Sequence, residues 1–195
     1  MHIRIFLVTL YFLLLTSVSF SQDVKFSTIG SEQGLSQASV NCILQDNKGY
    51  IWFGTQDGLN KFNGYEMVVY KNDPSDSNSL SHNYIECLFE DNKGIIWVGT
   101  RGGGLNALDP FLNKVTRFEN DQNNEKSLSS NQVRSIYQDK SGTYWIGTSF
   151  GLNSFDGKTN TFEKYIHKEE DTLSLNGFKV ESIFEDNKEI GRAHV

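Results

Sequence analysis

Asp46-Asn47-Lys48-Gly49-Tyr50-Ile51-Trp52-Phe53-Gly54-Thr55 is a phrase that this chain writes three times. It returns as Asp91-Asn92-Lys93-Gly94-Ile95-Ile96-Trp97-Val98-Gly99-Thr100 and as Asp139-Lys140-Ser141-Gly142-Thr143-Tyr144-Trp145-Ile146-Gly147-Thr148. A fourth copy starts at Asp186-Asn187-Lys188 and departs from the pattern at Glu189. The three tryptophans occupy one slot of the phrase and lie 45 and 48 residues apart. One tryptophan per unit, at a period of about 40 to 50 residues, predicts the blades of a β-propeller.

Outward from the phrase, four strands can be placed in every unit. Strand A is 40–45, 85–90 and 133–138, apolar on both faces as a strand packed between neighbouring blades should be. The Asp-x-x-Gly turn leads to strand B with its Trp-x-Gly-Thr. Strand C follows at 59–62, 105–108 and 152–155, and strand D at 67–70, 115–118 and 161–165, with turn residues between them. Leu35, Leu80, Leu128 and Leu175 each precede strand A by five residues, the place for a buried leucine that pins the incoming loop. The expected fold is all-β: a partial propeller with three complete four-stranded antiparallel blades (about 36–70, 81–118 and 129–165) and the first strand of a fourth (175–188). Val24 to Ile29 reads as a further short strand, the natural donor for ring closure. Three blades and a strand cannot close a ring of about seven, so an open arc with exposed edges is expected.

The repeated aspartates Asp46, Asp91 and Asp139 read as turn formers, because an Asp three residues before Gly49, Gly94 or Gly142 can fold its carboxylate onto nearby backbone N–H groups. A residue present at one slot of every blade does not build a single active site. Trp52, Trp97 and Trp145 read as core, each contributing on the order of 4–6 kcal/mol as an upper bound; Gly54, Gly99 and Gly147 belong to the same framework. Cys42 and Cys87 share a slot that Ser135 and Ser182 fill in later units, which asks for a small side chain rather than a disulfide.

What varies between units is the tips. The B–C turns and D–A loops share one face, and their contents differ: Gln56-Asp57, Arg101-Gly102-Gly103 and Ser149-Phe150, with 73–78, 121–126 and 167–172. Gln56, Asp57, Arg101, Ser149 and Phe150 are the candidates for ligand binding.

Composition narrows the function. The chain has 195 residues, 13% of them aromatic, and a formal charge of −6 without a basic run, so nucleic acid is not an expected partner. His2 and Arg4, an apolar run from Ile5 to Leu15 and small or polar residues ending Ser19-Phe20-Ser21 give the order of a secretory signal over 1–21. Cleavage after Ser21 and retention as an anchor both fit that order, and both place residues from 22 onward outside the cytoplasm. The four histidines fit no metal-ligand spacing, and no Gly-x-Ser-x-Gly, paired catalytic carboxylates or phosphate loop is found. Neither a metal, a cofactor nor a catalytic residue is expected.

The composite Ser-Leu-Ser-x-Asn-x-Val/Ile, then Gln/Glu-Asp-x-x-Gly-x-x-Trp-x-Gly-Thr, then Gly-Leu-Asn, resembles the two-component regulator propeller repeat. Ser79–Leu108 and Ser127–Phe155 match it best, and Gly34 to Tyr65 resembles a first blade. The resemblance implies the periplasmic sensor of a hybrid two-component histidine kinase that recognises oligosaccharides and controls genes for their degradation. It also implies a parent anchored in the inner membrane, further blades, a kinase part and homodimerisation. No catalytic module of such a parent lies in this chain, which is therefore not expected to be an enzyme. A propeller enzyme acting on polysaccharide and a purely structural interaction propeller are the alternatives. The tail 189–195 replaces the Gly and Trp expected at 189 and 192 and spells a translated sequencing adapter; it is expected to be non-native, on a truncated gene, with 22–188 the propeller segment. Native codons for 189–195 in the genomic locus would remove that expectation.

Overall fold

A computed structural model describes residues 25–186 and, as backbone, 192–194. The expected signal (1–21) and most of the expected tail lie outside these residues. Twelve strands form three antiparallel sheets, each in simple sequence order. The first blade is β1 (Val40–Gln45), β2 (Ile51–Thr55), β3 (Gly58–Phe62) and β4 (Met67–Tyr70). The second is β5 (Ile85–Glu90), β6 (Ile96–Thr100), β7 (Leu105–Asp109) and β8 (Lys114–Phe118). The third is β9 (Val133–Gln138), β10 (Tyr144–Thr148), β11 (Gly151–Asp156) and β12 (Thr161–Tyr165). A short strand β13 (Ser182–Phe184) follows the third blade and pairs with β14 (Arg192–His194).

One expectation is corrected by this architecture. Residues 25–29 form no strand; Phe26 is exposed, and an extended segment without a ladder partner leaves its backbone to water. Arg192–His194, within the tail expected to be non-native, pairs with β13.

Adjacent blades meet through their A strands, β1 beside β5, β5 beside β9 and β9 beside β13. The core lies between blades. Ile85, Ile96, Val98 and Val115 of the second blade close over Trp52 and Leu59 of the first. Val133, Tyr144, Ile146, Phe155 and Phe162 of the third close over Trp97 and Leu105 of the second. A single four-stranded sheet cannot bury such a face on itself; stacking the next unit does it. Each tryptophan also rests on the strand D aromatic of its own blade, Tyr70, Phe118 or Tyr165, with ring centroids 5.8, 6.0 and 5.8 Å apart.

Position in the arc decides burial. Trp52 and Trp97 are buried, but Trp145 is only half-buried, because its face is the one that a following blade covers for the other two. On the opposite side, β1 is the least covered of the A strands, with Ile43 65% exposed. The leading leucines Leu35, Leu80 and Leu128 are all buried. They are held there by Asn60, Asn106 and Asn153 of strand C, whose Oδ1 accepts from the backbone N–H of Ser36, Ser81 and Ser129.

The glycine of Trp-x-Gly-Thr marks where neighbouring blades come nearest. A Cβ on Gly99 would stand 2.4 Å from Cys87 Sγ and 2.7 Å from Val133 Cγ1 of the next blade, and Gly54 and Gly147 are equally confined. The slot shared by Cys42, Cys87 and Ser135 faces these glycines, so its small side chains are explained by space. Both cysteines are free thiols. Burial pushes Cys42 up to about 12 and Cys87 well above the ordinary range, so neither carries thiolate at neutral pH. Cys42→Ser and Cys87→Ser are expected to cost less than about 1 kcal/mol, since Ser135 already fills the slot. Iodoacetamide should label the native thiols only after denaturant is added, which mass spectrometry reads directly.

Candidate functional site

The turn that opens strand B is built identically three times. Asp46 Oδ1 accepts from the backbone N–H of Lys48 and Tyr50, Asp91 Oδ1 from Lys93 and Ile95, and Asp139 Oδ1 from Ser141 and Thr143. The second carboxylate oxygen accepts from the indole Nε1–H of Trp52, Trp97 or Trp145 at 2.8, 3.0 and 2.8 Å. Gly49, Gly94 and Gly142 complete the turns at φ of 87°, 79° and 90°, the left-handed region. The aspartates are thus fully used in holding the framework, and the tryptophans bury their polar edge satisfied. At Asp91 a further donor arrives from the next blade, Tyr144 Oη–H at 2.7 Å.

Asp139 carries an acid dependence. Burial pushes its pKa up, but the hydrogen bonds from Ser141, Trp145 and Thr143 outweigh that and leave it below the ordinary value. The contribution of these bonds is complete above about pH 4, the unfolded-state value, and is lost as pH falls through the lower folded value. Urea midpoints measured between pH 5 and pH 2 should fall less steeply in Asp139→Asn than in the wild type.

The five candidate tip residues all stand on the B–C turns; Asp57 and Phe150 meet the D–A loop that follows in their own blade, Arg101 and Ser149 the D–A loop that precedes theirs. Gln56 is exposed. Asp57 pairs with Lys71 at 2.6 Å and takes a longer bond from Asn83 Nδ2. Arg101 lies over the Tyr84 ring and donates to Tyr84 Oη at 3.2 Å. Ser149 donates from both its backbone N–H and its hydroxyl to Gln132. Phe150 stacks on Phe178, and His167 meets Phe178 edge-on. Gln132 also forms a β-bridge with Arg101. It therefore joins the tip of the second blade to that of the third, bringing Arg101 and Ser149 together.

Strand A adds groups that the variation of the tips did not reveal. The pairing of β1, β5 and β9 with strand B shifts register between Val40 and Cys42, Ile85 and Cys87, and Val133 and Ser135. These are β-bulges, which re-aim the extra side chain. The bulged residues are Asn41, Glu86 and Arg134. Asn41 Nδ2 donates to Ile85 O. Arg134 lies 3.4 Å from Glu86 Oε1 and 3.5 Å from Glu181 Oε2, and its Nε–H donates to Ser149 Oγ at 3.1 Å. The other oxygen of Glu86, Oε2, is buried without a hydrogen-bond partner. Alignment of the units shows the slot changing from Asn to Glu to Arg inside an otherwise constant strand, and that change is the signal that finds it. The arrangement offers one arginine between two carboxylates, amides and an aromatic tip within one face: the equipment for binding a polar organic ligand.

The two-component regulator propeller family matches residues 34–57, 79–102 and 127–150. The chain is similar to Histidine kinase P4 of Formosa agariphila, 42% identical over 81 residues, which is 41% of this chain and 6% of that protein. It is also similar to the extracellular domain of a hybrid two-component system from B. thetaiotaomicron, with a TM-score of 0.74 and 29% identity over 81% of this chain and 22% of that one. The extracellular domain of a second such system from the same organism shares the fold at a TM-score of 0.66 and 22% identity, over 82% of this chain and 21% of that one. The chain spans about a fifth of those extracellular domains and a much smaller part of the kinase. Three consecutive blades, opened by Gly-Leu-Ser in the first and Ser-Leu-Ser in the next two and each locked by its Asp–Trp turn, carry the two-component regulator propeller repeat and are similar to the extracellular domains of hybrid two-component systems.

Proposed function

We propose that this chain is the ligand-sensing, extracytoplasmic propeller segment of a hybrid two-component sensor histidine kinase, and that its ligand is an oligosaccharide released from a complex glycan. The observation that carries the reading is the 29% identity, across 81% of this chain, to an extracellular domain of a hybrid two-component system. The tips supply the chemistry: amides, a hydroxyl, an arginine held between two carboxylates and exposed aromatic rings on one face. Such groups suit a neutral polyhydroxylated ligand better than a phosphate, which a chain of net charge −6 repels. In this reading the segment is not itself catalytic. It sits in the periplasm beside further blades, and the parent dimerises in the inner membrane so that binding is read by the kinase part.

The test is genetic. The gene that encodes this segment should also encode a membrane span and kinase motifs. Its deletion should abolish induction of polysaccharide-degrading genes by one class of glycan and leave others intact. A reading frame with no kinase, or unchanged induction by every glycan, overturns the proposal.

A further inference from the structure

The third blade differs from the first two in a way the framework does not require. In each blade the backbone N–H after the B–C turn donates to the carbonyl of one residue of the following loop: Gly58 to Asn83, Gly104 to Asn131, Gly151 to Phe178. Phe178 therefore occupies the slot of two asparagines. Those asparagines have a structural task, accepting on Oδ1 from the backbone N–H of Asn72 and Asn120. Phe150 likewise stands where the other turns have Asp57 and Gly103, because the N–H of each of these three residues donates to the blade's threonine hydroxyl. Two polar or small positions have become phenylalanine together, in one blade.

The rings are not there to fill a core. Phe150 is 47% and Phe178 49% exposed. Their planes lie 15° from parallel with centroids 5.5 Å apart, and the edge of His167 braces Phe178 at 5.1 Å. An exposed, fixed pair of apolar faces at a loop tip is a binding feature rather than a packing one. Beside it stands the polar cluster already described. Ser149, the residue before Phe150, is hydrogen-bonded to Arg134, which in turn meets Glu86, whose second oxygen still lacks a donor.

We infer that Phe150 and Phe178 form a stacking platform for one neutral pyranose ring of the ligand, with Ser149 and Arg134, the latter held by Glu86, placed to take its hydroxyl groups. This rests on the glycan-sensing reading and narrows it. The C–H face of a pyranose is apolar while its equatorial hydroxyls are polar, which matches an aromatic surface rimmed by a few hydrogen-bonding groups. The ring is neutral rather than sulfated or uronic, because the cluster's one arginine already faces two carboxylates, Glu86 and Glu181, and a further anion would be repelled.

The test uses the full chain on an array of neutral, uronic and sulfated oligosaccharides, followed by titration calorimetry with the strongest neutral hit. Phe178→Asn restores the residue of the equivalent slots, and Phe150→Gly restores that of the second blade, so both variants should keep the wild-type melting curve. Each is expected to weaken binding about tenfold, while Phe150→Trp retains or strengthens it. Neutral-glycan binding that survives both substitutions unchanged overturns the platform and leaves the sensing role standing. Binding confined to sulfated or uronic glycans overturns the neutral ring. A chain that binds no glycan on the array overturns the sensing role and the platform with it.

Discussion

Gly99→Val is expected to lower the melting temperature by roughly 10 °C, the shift that about 3 kcal/mol gives in a chain of this size. The reason is position. Its first added carbon would lie 2.4 Å from Cys87 Sγ and 2.7 Å from Val133 Cγ1, and 3.1 Å from Val133 Cβ. Cys87 sits in the same sheet and Val133 in the next blade, both on backbone fixed by strand pairing, so relief requires separating the blades. That separation would also loosen Tyr144, Phe155 and Phe162 from Trp97. The control is Gly142→Ala. Nothing lies within 4 Å of a Cβ there, and only its φ of 90° resists a side chain, a cost of about 1 kcal/mol. Thermal denaturation followed by circular dichroism separates the two. Equal losses would mean that turn conformation, not close approach of blades, selects glycine in both slots.

Asp91→Ala should destabilise by about 3–5 kcal/mol, the largest loss among the three turn aspartates. Its carboxylate accepts from two backbone N–H groups, from Trp97 Nε1–H and from Tyr144 Oη–H. Removing it orphans buried donors, each costing about 1–3 kcal/mol, partly recovered where water can enter. Asp46 makes the same bonds except the last, because the second blade has Ile96 where the third has Tyr144. Asp46→Ala should therefore cost less by about 1–2 kcal/mol. The double variant Asp91→Ala with Tyr144→Phe isolates the inter-blade bond: chemical denaturation should show the second substitution nearly neutral once the first is made. If Tyr144→Phe costs as much in the Asp91→Ala background as alone, the bond does not couple the blades.

The repeat made the fold legible because each unit constrains the next. Strand A is expected at 40–45, 85–90 and 133–138 and the structure has β1, β5 and β9 there; strands C and D of the three blades agree to within a residue at their ends. Periodicity could not report what depends on location in the series. Trp145 has the same sequence context as Trp52 yet is less buried, since burial comes from the neighbour and not from the unit. The Asp–Trp hydrogen bond was equally hidden. Six residues separate its partners, and only the curl of the turn carries the carboxylate to the indole. In the candidate site, the tips stand out because they vary, which is how Ser149 and Phe150 enter as candidates. Gln132, Arg134, Glu86 and Phe178 were missed because they lie in or beside framework segments whose constancy drew attention away from single departures.

The glycine contact also sets curvature. Where strands A and B of neighbouring sheets meet, the β-branched side chain of Ile85 or Val133 faces a bare α-carbon of the preceding blade; toward strand D the same interface is held apart by Tyr70, Phe118 and the indoles. Each sheet is thus a tapered stave, thin at one margin and thick at the other. The taper fixes the angle at which successive staves splay, and so the circumference they can enclose. A larger residue in place of Ile85 or Val133, or a smaller one in place of Phe118 at the far margin, would change the splay between neighbouring staves rather than the sheets themselves.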